Sequence, residues 1–155
     1  MLSQILEAEK KNKEKHIPGY NFCGPGTKVV TRLYRGDKGI NELDEACKRH
    51  DVDYMINYDD PKALIASDKR LREVAKKVKG PAAFVVDKVF LAVNLLEKWG
   101  LMSTKTFANK FKFLSRQGQR ELGQALFEIF WSDENINVKQ EKLRRLINSG
   151  KEQIS

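Results

Sequence analysis

Hydrophobic positions recur with helical spacing in several separate stretches of the chain. One apolar stripe has positions i, i+4, i+7 and i+11, occupied by Leu43, Cys47, His50 and Tyr54. Asn41 precedes this stripe and suits a helix N-cap, and the first turn is rich in acidic residues, which favour the positive end of the helix dipole. The pattern predicts a helix beginning near residue 41, with His50 on its apolar stripe and Asp51 at the edge of that stripe.

A second helix is predicted directly after the first. Asp59 and Asp60 supply cap residues and Pro61 suits the first helical position. The apolar stripe of this helix consists of Leu64, Leu71, Ala75 and Val78. Asp68 falls in the middle of that stripe, and an unpaired buried carboxylate costs several kcal/mol, so Asp68 needs a partner.

Two helices joined by a short connection normally pack antiparallel, with one apolar stripe against the other. His50 on the first stripe would then face Asp68 on the second, and each would satisfy the other. A buried His–Asp pair of this kind is either a purely structural ion pair or part of a catalytic site. Periodicity alone leaves both interpretations open.

Three further helical stretches follow. Gly80 and Pro81 break the chain before a helix over Pro81–Trp99, with Gly100 as its stop. This helix is apolar round most of its circumference and belongs either to the core or to a membrane-binding surface. Helices are also predicted over Lys105–Phe130 and Val138–Asn148, and the first of these is either a basic amphipathic element or a solvated appendage. Together the patterns predict a mostly helical, all-α fold.

Two segments precede residue 41, and the second, residues 20–39, has no helical period. Residues 1 to 16 are predicted to form a charged, frayed helix or a solvated arm that ends at Pro18 and Gly19. Residues 20 to 39 are rich in glycine and are predicted to form a long structured loop, in which Gly24 and Gly26 flank a proline and turn successive carbonyls inward. A Walker phosphate loop is excluded, because Pro25 stands where that motif needs lysine.

Composition narrows the partners and the compartment. A net charge of +8 favours an anionic partner, either nucleic acid or a membrane surface. The first residues lack the apolar region of a secretory signal, so we expect synthesis in the cytosol, and the stretch from Pro81 to Trp99 is too polar to cross a bilayer. Two cysteines are too few for a disulfide scaffold and form one bridge or none.

The motifs CGPGT, then ELDEACKRHDVDY on one helix, then ASD on the next, resemble the phospholipase A2 superfamily. The resemblance is strongest to the virus-type phospholipase A2-like domain at the N-terminus of parvovirus minor capsid proteins. It covers Pro18 to Met102 and includes an LGL-like ending at residues 99–101. It implies an antiparallel catalytic helix pair with an N-terminal calcium-binding loop, in a catalytic domain over 18–102, between a charged arm over 1–17 and a helical C-terminal extension over 103–155.

The resemblance also implies a role for each site residue. Ca²⁺ would be bound by the backbone carbonyls of Phe22, Gly24 and Gly26 and by the carboxylate of Asp51, a set of oxygen ligands that suits this ion. His50 would be the general base, Asp68 the carboxylate that orients it, and Tyr54 a hydrogen-bond donor to Asp68. The N–H of Gly24 would help to stabilise the oxyanion. Cys23 and Cys47 lie where secreted relatives carry a disulfide.

Two departures from the parvovirus pattern concern the loop. The connection between Gly26 and His50 is longer around TRLYRG, and Thr27 replaces the usual Asn or Gly after GPG. They affect the exit path of the loop and its substrate contacts rather than the ligand set.

The resemblance predicts a calcium-dependent phospholipase A2 that hydrolyses the sn-2 ester of glycerophospholipids. Its partner would be an anionic phospholipid membrane, with capsid proteins as further partners and no specific nucleic acid. Its setting would be a virion component that breaches the endosomal membrane during entry. The alternatives are a non-catalytic module that binds membrane or nucleic acid through its basic surface, and a capsid or scaffold protein.

Overall fold

The computed structural model describes residues 2–11, 13–24, 26–57, 60–98 and 115–149. Within these ranges every regular element is a helix, and no strand is present. The helices are α1 (Leu2–Glu9), α2 (Val29–Arg35), α3 (Glu42–Ile56), α4 (Pro61–Val78), α5 (Pro81–Lys98), α6 (Arg116–Phe130) and α7 (Ile136–Ser149). The predicted all-α fold class is therefore confirmed.

Helices α3 and α4 begin at the positions that their cap residues indicate in the sequence. The side chain of Asn41 accepts a hydrogen bond from the Asp44 N–H at 2.9 Å and caps α3. Asp60 caps α4 in the same way by accepting from the Ala63 N–H, and Pro61 occupies the first helical position. These caps satisfy amides that have no partner inside their helices, so they fix where each helix starts.

The stretch from 20 to 39 was predicted to be loop throughout, and this prediction is wrong for its second half. Val29–Arg35 forms α2, which ends at Gly36 in the left-handed region with φ of +83°. Most of the TRLYRG insertion therefore lies in this helix. Its two turns are too short to show a clear period, but Val29, Val30 and Leu33 are all buried.

The N-terminal arm forms helix α1, one of the two predicted alternatives, but it is not solvated. Ile5 and Glu9 of α1 are fully buried. The carboxylate of Glu9 accepts hydrogen bonds from the N–H groups of Val30 and Thr31 and from the Thr31 hydroxyl. Glu9 thus satisfies the free amides at the start of α2, and α1 is anchored to the body of the protein.

Helix α3 lies between two clusters of buried apolar side chains. One face packs with the loop, α4 and α5, and this cluster consists of Phe22, Cys23, Leu43, Cys47, Leu71, Ala75, Ala83 and Val86. The opposite face packs with α1, α2, α6 and α7, and this second cluster consists of Ile5, Val29, Val30, Leu33, Val52, Met55, Leu122, Leu126, Ile129, Phe130 and Leu143. The helix that carries His50 is therefore held from both sides.

The C-terminal helices share the second cluster, so the apolar face of α6 is buried inside the molecule. Their observed starts differ from the predicted ones: α6 begins after a Ser115 cap and α7 begins at Ile136. The predicted LGL-like ending at 99–101 and the predicted helical residues 105–114 lie outside the described residues. No described helix combines the length and the hydrophobicity that a bilayer-spanning segment needs.

Candidate active site

The predicted His–Asp contact is present between α3 and α4. His50 Nε2 lies 2.5 Å from Asp68 Oδ1, and the Tyr54 hydroxyl donates to the same oxygen at 2.6 Å. Asp68 is fully buried and His50 is 6% exposed. The two apolar stripes bring these three side chains together because the stripe of α3 carries His50 and Tyr54 and the stripe of α4 carries Asp68.

The surroundings of His50 set its charge. Burial would lower its pKa, but the carboxylates of Asp51 and Asp68 outweigh burial and raise the pKa to about 8. His50 Nδ1 lies 3.9 Å from Asp51 Oδ1, which places a second carboxylate beside the ring. With Nε2 bound to Asp68, Nδ1 is the ring nitrogen left to exchange a proton with a substrate water.

Aromatic rings hold the imidazole in place on two sides. The ring of Tyr54 lies 4.4 Å from that of His50, and Phe90 of α5 meets it edge-on at 4.6 Å. Sequence analysis did not single out Phe90. The sequence places Phe90 only on the apolar face of α5, and a position of this kind does not distinguish it from ordinary core residues.

A disulfide joins the glycine loop to α3. Cys23 and Cys47 are bonded, with 5.2 Å between their Cα atoms. Asp51 follows Cys47 by four residues, which is one helical turn and about 6 Å along the axis. The bridge therefore places the segment that contains Phe22 and Gly24 beside the turn of α3 that carries His50 and Asp51.

Asp44 anchors the same loop through its backbone, a role that sequence analysis missed. Its buried carboxylate accepts hydrogen bonds from the N–H groups of Asn21, Phe22, Cys23 and Ile40, at 2.8 to 3.2 Å. From the sequence alone, the acidic residues of the first turn of α3, Asp44 among them, are given a role only at the helix dipole. The available signal was its place three residues before Cys47, on the side of α3 that faces the loop.

The loop offers oxygen atoms of the kind that Ca²⁺ prefers. The carbonyls of Phe22 and Gly24 converge on the Thr27 hydroxyl, with separations of 3.3 and 3.1 Å. Gly24 and Gly26 have φ of +148° and +77°, a backbone conformation that turns the peptide groups in a way other residues rarely adopt. Pro25 lies outside the described residues.

These features fit a calcium site built from loop carbonyls and the Asp51 carboxylate. No cluster of three or more His, Cys, Asp or Glu side chains suited to a metal lies in the described part of the chain. The predicted ligand set contains a single carboxylate, so it does not depend on such a cluster. The ligand roles of Phe22, Gly24, Gly26 and Asp51 stay predictions.

His50 also contributes to the lining of a groove of about 310 Å³ between α3 and α4. Inside this groove Asp53 accepts hydrogen bonds from the Ser67 hydroxyl at 2.9 Å and from Arg70 at 3.2 Å. Arg49 lines the groove as well. This polar network was not predicted, because Asp53 and Ser67 carry no recognisable motif.

A buried His–Asp pair beside a disulfide-anchored glycine loop, in an all-helical fold, defines a phospholipase A2-like class of protein. Residues 13–92 match the family described as phospholipase A2-like domain, and the chain belongs to that family. The match begins before Pro18, so it includes the segment that precedes the loop. No curated protein and no solved structure shows significant similarity to the chain.

Proposed function

We propose that the protein is a calcium-dependent phospholipase A2 that hydrolyses the sn-2 ester of glycerophospholipids. The observation that carries the proposal is the buried contact between His50 and Asp68, in a chain of this family and beside the glycine loop. A purely structural ion pair would not need the adjoining Asp51 or an oxygen-rich loop.

In the proposed reaction His50 Nδ1 takes a proton from water as the water attacks the ester carbonyl, and returns it to the glycerol oxygen as the ester C–O bond breaks. Asp68 accepts a hydrogen bond from Nε2–H and stabilises the imidazolium that forms. Tyr54 donates a hydrogen bond that keeps the Asp68 carboxylate in position. The N–H of Gly24 would donate to the developing oxyanion. Ca²⁺ held by Phe22, Gly24, Gly26 and Asp51 would polarise the ester carbonyl.

The proposed partner is an anionic phospholipid membrane. Helix α5 exposes Phe84, Val85 and Val89, with Phe84 64% exposed, and Lys88 lies 5.5 Å from the Phe84 ring. Exposed apolar side chains beside a cation suit the boundary between acyl chains and anionic head groups, and the net charge of +8 favours the same surface. Phe84→Glu should bind anionic vesicles more weakly than the wild type does, and equal binding would contradict this assignment.

On the resemblance to parvovirus domains, we extend the proposal to a virion component, made in the cytosol, that opens the endosomal membrane during entry. Capsid proteins would be further partners in that setting.

The test uses mixed liposomes whose phospholipids carry distinguishable labels on the sn-1 and sn-2 chains. The proposal predicts release of the sn-2 fatty acid with Ca²⁺ and loss of release with a chelator. Release of the sn-1 chain, or release indifferent to the chelator, would contradict it. Vesicle binding without release would support the alternative of a non-catalytic binding module.

A further inference from the structure

The segment just before the glycine loop runs along it in the opposite direction. We call residues 13–17 the strap. The Ile17 N–H donates to the Cys23 carbonyl at 2.9 Å, and at the other end the Lys28 N–H donates to the Glu14 carboxylate at 3.2 Å. Glu14 is itself fixed by Arg32 of α2, whose Nε donates to it at 2.8 Å.

The strap lies so close to the loop that only glycine fits at two loop positions. A Cβ on Gly24 would be 2.4 Å from the Lys15 carbonyl oxygen, and one on Gly26 would be 2.2 Å from that of Lys13. Side chains do not tolerate such distances, so the glycines serve the contact with the strap as well as their own positive φ. The strap therefore forms one wall of the loop that carries the predicted calcium ligands.

One side-chain contact connects the strap to the carbonyls themselves. His16 Nε2 lies 2.9 Å from the Thr27 hydroxyl oxygen, which in turn lies 3.3 Å from the Phe22 carbonyl and 3.1 Å from the Gly24 carbonyl. The Thr27 residue is buried and the His16 side chain is 8% exposed, so water competes little for these bonds.

The direction of these bonds follows from the inventory of donors. Carbonyl oxygens only accept, and a hydroxyl has a single hydrogen to donate. These three contacts are satisfied together when His16 Nε2–H donates to Thr27 and the Thr27 hydrogen points at the two carbonyls. The Glu14 carboxylate also lies near this nitrogen, but at 3.5 Å it is farther from Nε2 than the Thr27 hydroxyl at 2.9 Å. His16 therefore fixes the orientation of the Thr27 hydroxyl, and that hydroxyl draws the Phe22 and Gly24 carbonyls toward one point.

We propose that His16 and Thr27 are positioning residues that preset the Phe22 and Gly24 carbonyls for Ca²⁺. The inference rests on the proposed function, since it requires these carbonyls to be calcium ligands. Each carbonyl oxygen has a second lone pair, so a hydrogen bond from Thr27 leaves it able to bind the ion. Prepositioned ligands bind an ion more tightly because less ordering is needed on binding.

Calorimetric titration of the full chain with CaCl₂ tests the proposal without depending on turnover. Thr27→Val removes the hydroxyl at nearly constant volume and should raise the Kd roughly fivefold, equivalent to about 1 kcal/mol. Thr27→Ser keeps the hydroxyl and should stay near the wild type. Thr31→Val is the matched control, because the Thr31 hydroxyl binds Glu9 rather than the loop, and its Kd should not change.

A double-mutant cycle tests whether His16 and Thr27 act on Ca²⁺ binding together. His16→Leu should weaken Ca²⁺ binding as Thr27→Val does, but should add little once Thr27 is valine, because its effect passes through the hydroxyl. His16→Gln, whose amide can donate from the place of Nε2, should recover most of the affinity. If Thr27→Val fails to fold, as judged by a thermal melt with chelator, the Kd values of His16→Leu and His16→Gln for Ca²⁺ test the proposal instead. Equal Kd values for these two variants would overturn it.

The outcomes separate the two proposals. A wild-type protein that binds no Ca²⁺ overturns the calcium dependence of the proposed function and this inference with it. A wild-type protein that binds Ca²⁺ with the same Kd as Thr27→Val, or more weakly, overturns the inference alone. Equal losses in Thr27→Ser and Thr27→Val would also overturn it, because the hydroxyl would then play no part.

Discussion

At the scale of single residues, the site is organised by carboxylates that accept several hydrogen bonds each. Asp68 Oδ1 accepts hydrogen bonds from His50 and Tyr54. Asp44 accepts hydrogen bonds from four backbone amides, three in the loop and one at Ile40, just before the cap of α3. Burying these carboxylates would be costly without hydrogen bonds of this kind, and in Asp68 they all fall on Oδ1, since Oδ2 is buried with no hydrogen-bond partner among the described residues. One of them orients the candidate base and the other holds the candidate metal loop.

The loop anchor can be tested by Asp44→Asn. Asparagine keeps one acceptor oxygen but turns an NH₂ group toward two backbone amides, which leaves them without an acceptor. We expect a loss of about 2–4 kcal/mol in the free energy of unfolding, measured by denaturant titration.

Glu42→Gln is the matched control, since Glu42 lies in the same helical turn but is exposed and pairs with exposed Lys77. Its effect should stay within about 0.5 kcal/mol. An Asp44→Asn protein as stable as this control would show that the amides find other partners.

The sequence could predict the residues whose partners lie on regular stripes. His50 and Asp68 were paired from periodicity, because two amphipathic helices with a short connection have few ways to pack. Asp44 could not be paired in this way, since three of its four partners are backbone amides more than twenty residues earlier in an irregular loop. Only the folded path of that loop brings them to the helix.

At the scale of elements, the sequence did not predict helix α2 or the burial of helix α1. Helix α2 has seven residues, and α1 looked like a solvated arm because its buried Glu9 is indistinguishable in sequence from a surface glutamate. Their burial depends on tertiary partners that local pattern does not contain. The longer helices α3, α4 and α5 repeat their apolar positions over about three or more turns and were predicted with their caps or breaks.

The close approach of α6 to α3 depends on Gly123. A Cβ at this position would lie 2.6 Å from Ile56 Cγ1 and 3.1 Å from the Ile56 backbone nitrogen. Gly123→Ala gains about 1 kcal/mol of helix propensity, but the overpacking cost of about 1–3 kcal/mol should exceed it. A lower denaturation midpoint in urea is expected.

Gln124→Ala, at an exposed position of the same helix, controls for propensity alone and should be neutral or slightly stabilising. If Gly123→Ala proved as stable as Gln124→Ala, the two helices would have room to separate without cost.

The strap contributes stability that depends on pH. Burial would raise the pKa of Glu14, but hydrogen bonds from Arg32 and from the Lys28 amide outweigh burial and hold the pKa below its ordinary value of 4.5. A carboxylate with a depressed pKa in the folded state stabilises the protein above the unfolded-state pKa. That stability is lost as the pH falls through the folded-state pKa.

The wild type should therefore be more stable than Glu14→Gln at pH 7. The difference in their free energies of unfolding should hold down to about pH 5 and shrink below 4.5. Urea titrations across this range measure it, with Glu7→Gln as an exposed carboxylate control on α1. A difference independent of pH would mean that the charge of Glu14 does not hold the strap.

At the scale of the whole molecule, the predicted catalytic domain and C-terminal extension share one hydrophobic cluster. Leu122, Leu126 and Leu143 from the extension are buried with Val52 and Met55 on the back of α3. The sequence predicted the apolar face of α6 but not what it packs against. The sequence between α5 and α6 does not indicate which part of the molecule α6 contacts.

A chain truncated after Met102 should therefore fail to fold cooperatively. It would expose the apolar side chains of the second cluster, each of which contributes about 1.5–3 kcal/mol when buried. Circular dichroism during thermal unfolding measures the loss. A sharp transition with retained hydrolysis of dispersed substrate would show instead that residues 18–102 form an independent domain.

The central claim is that His50 performs the chemistry, and the rate of fatty-acid release by His50→Gln at saturating Ca²⁺ tests it most directly. Lys69→Gln, an exposed change next to Asp68 on α4, serves as the matched control. The account predicts that His50→Gln remains folded and loses at least a hundredfold in rate, the usual scale for losing a general base, while Lys69→Gln retains the wild-type rate. A folded His50→Gln protein that releases fatty acid as fast as Lys69→Gln would contradict it.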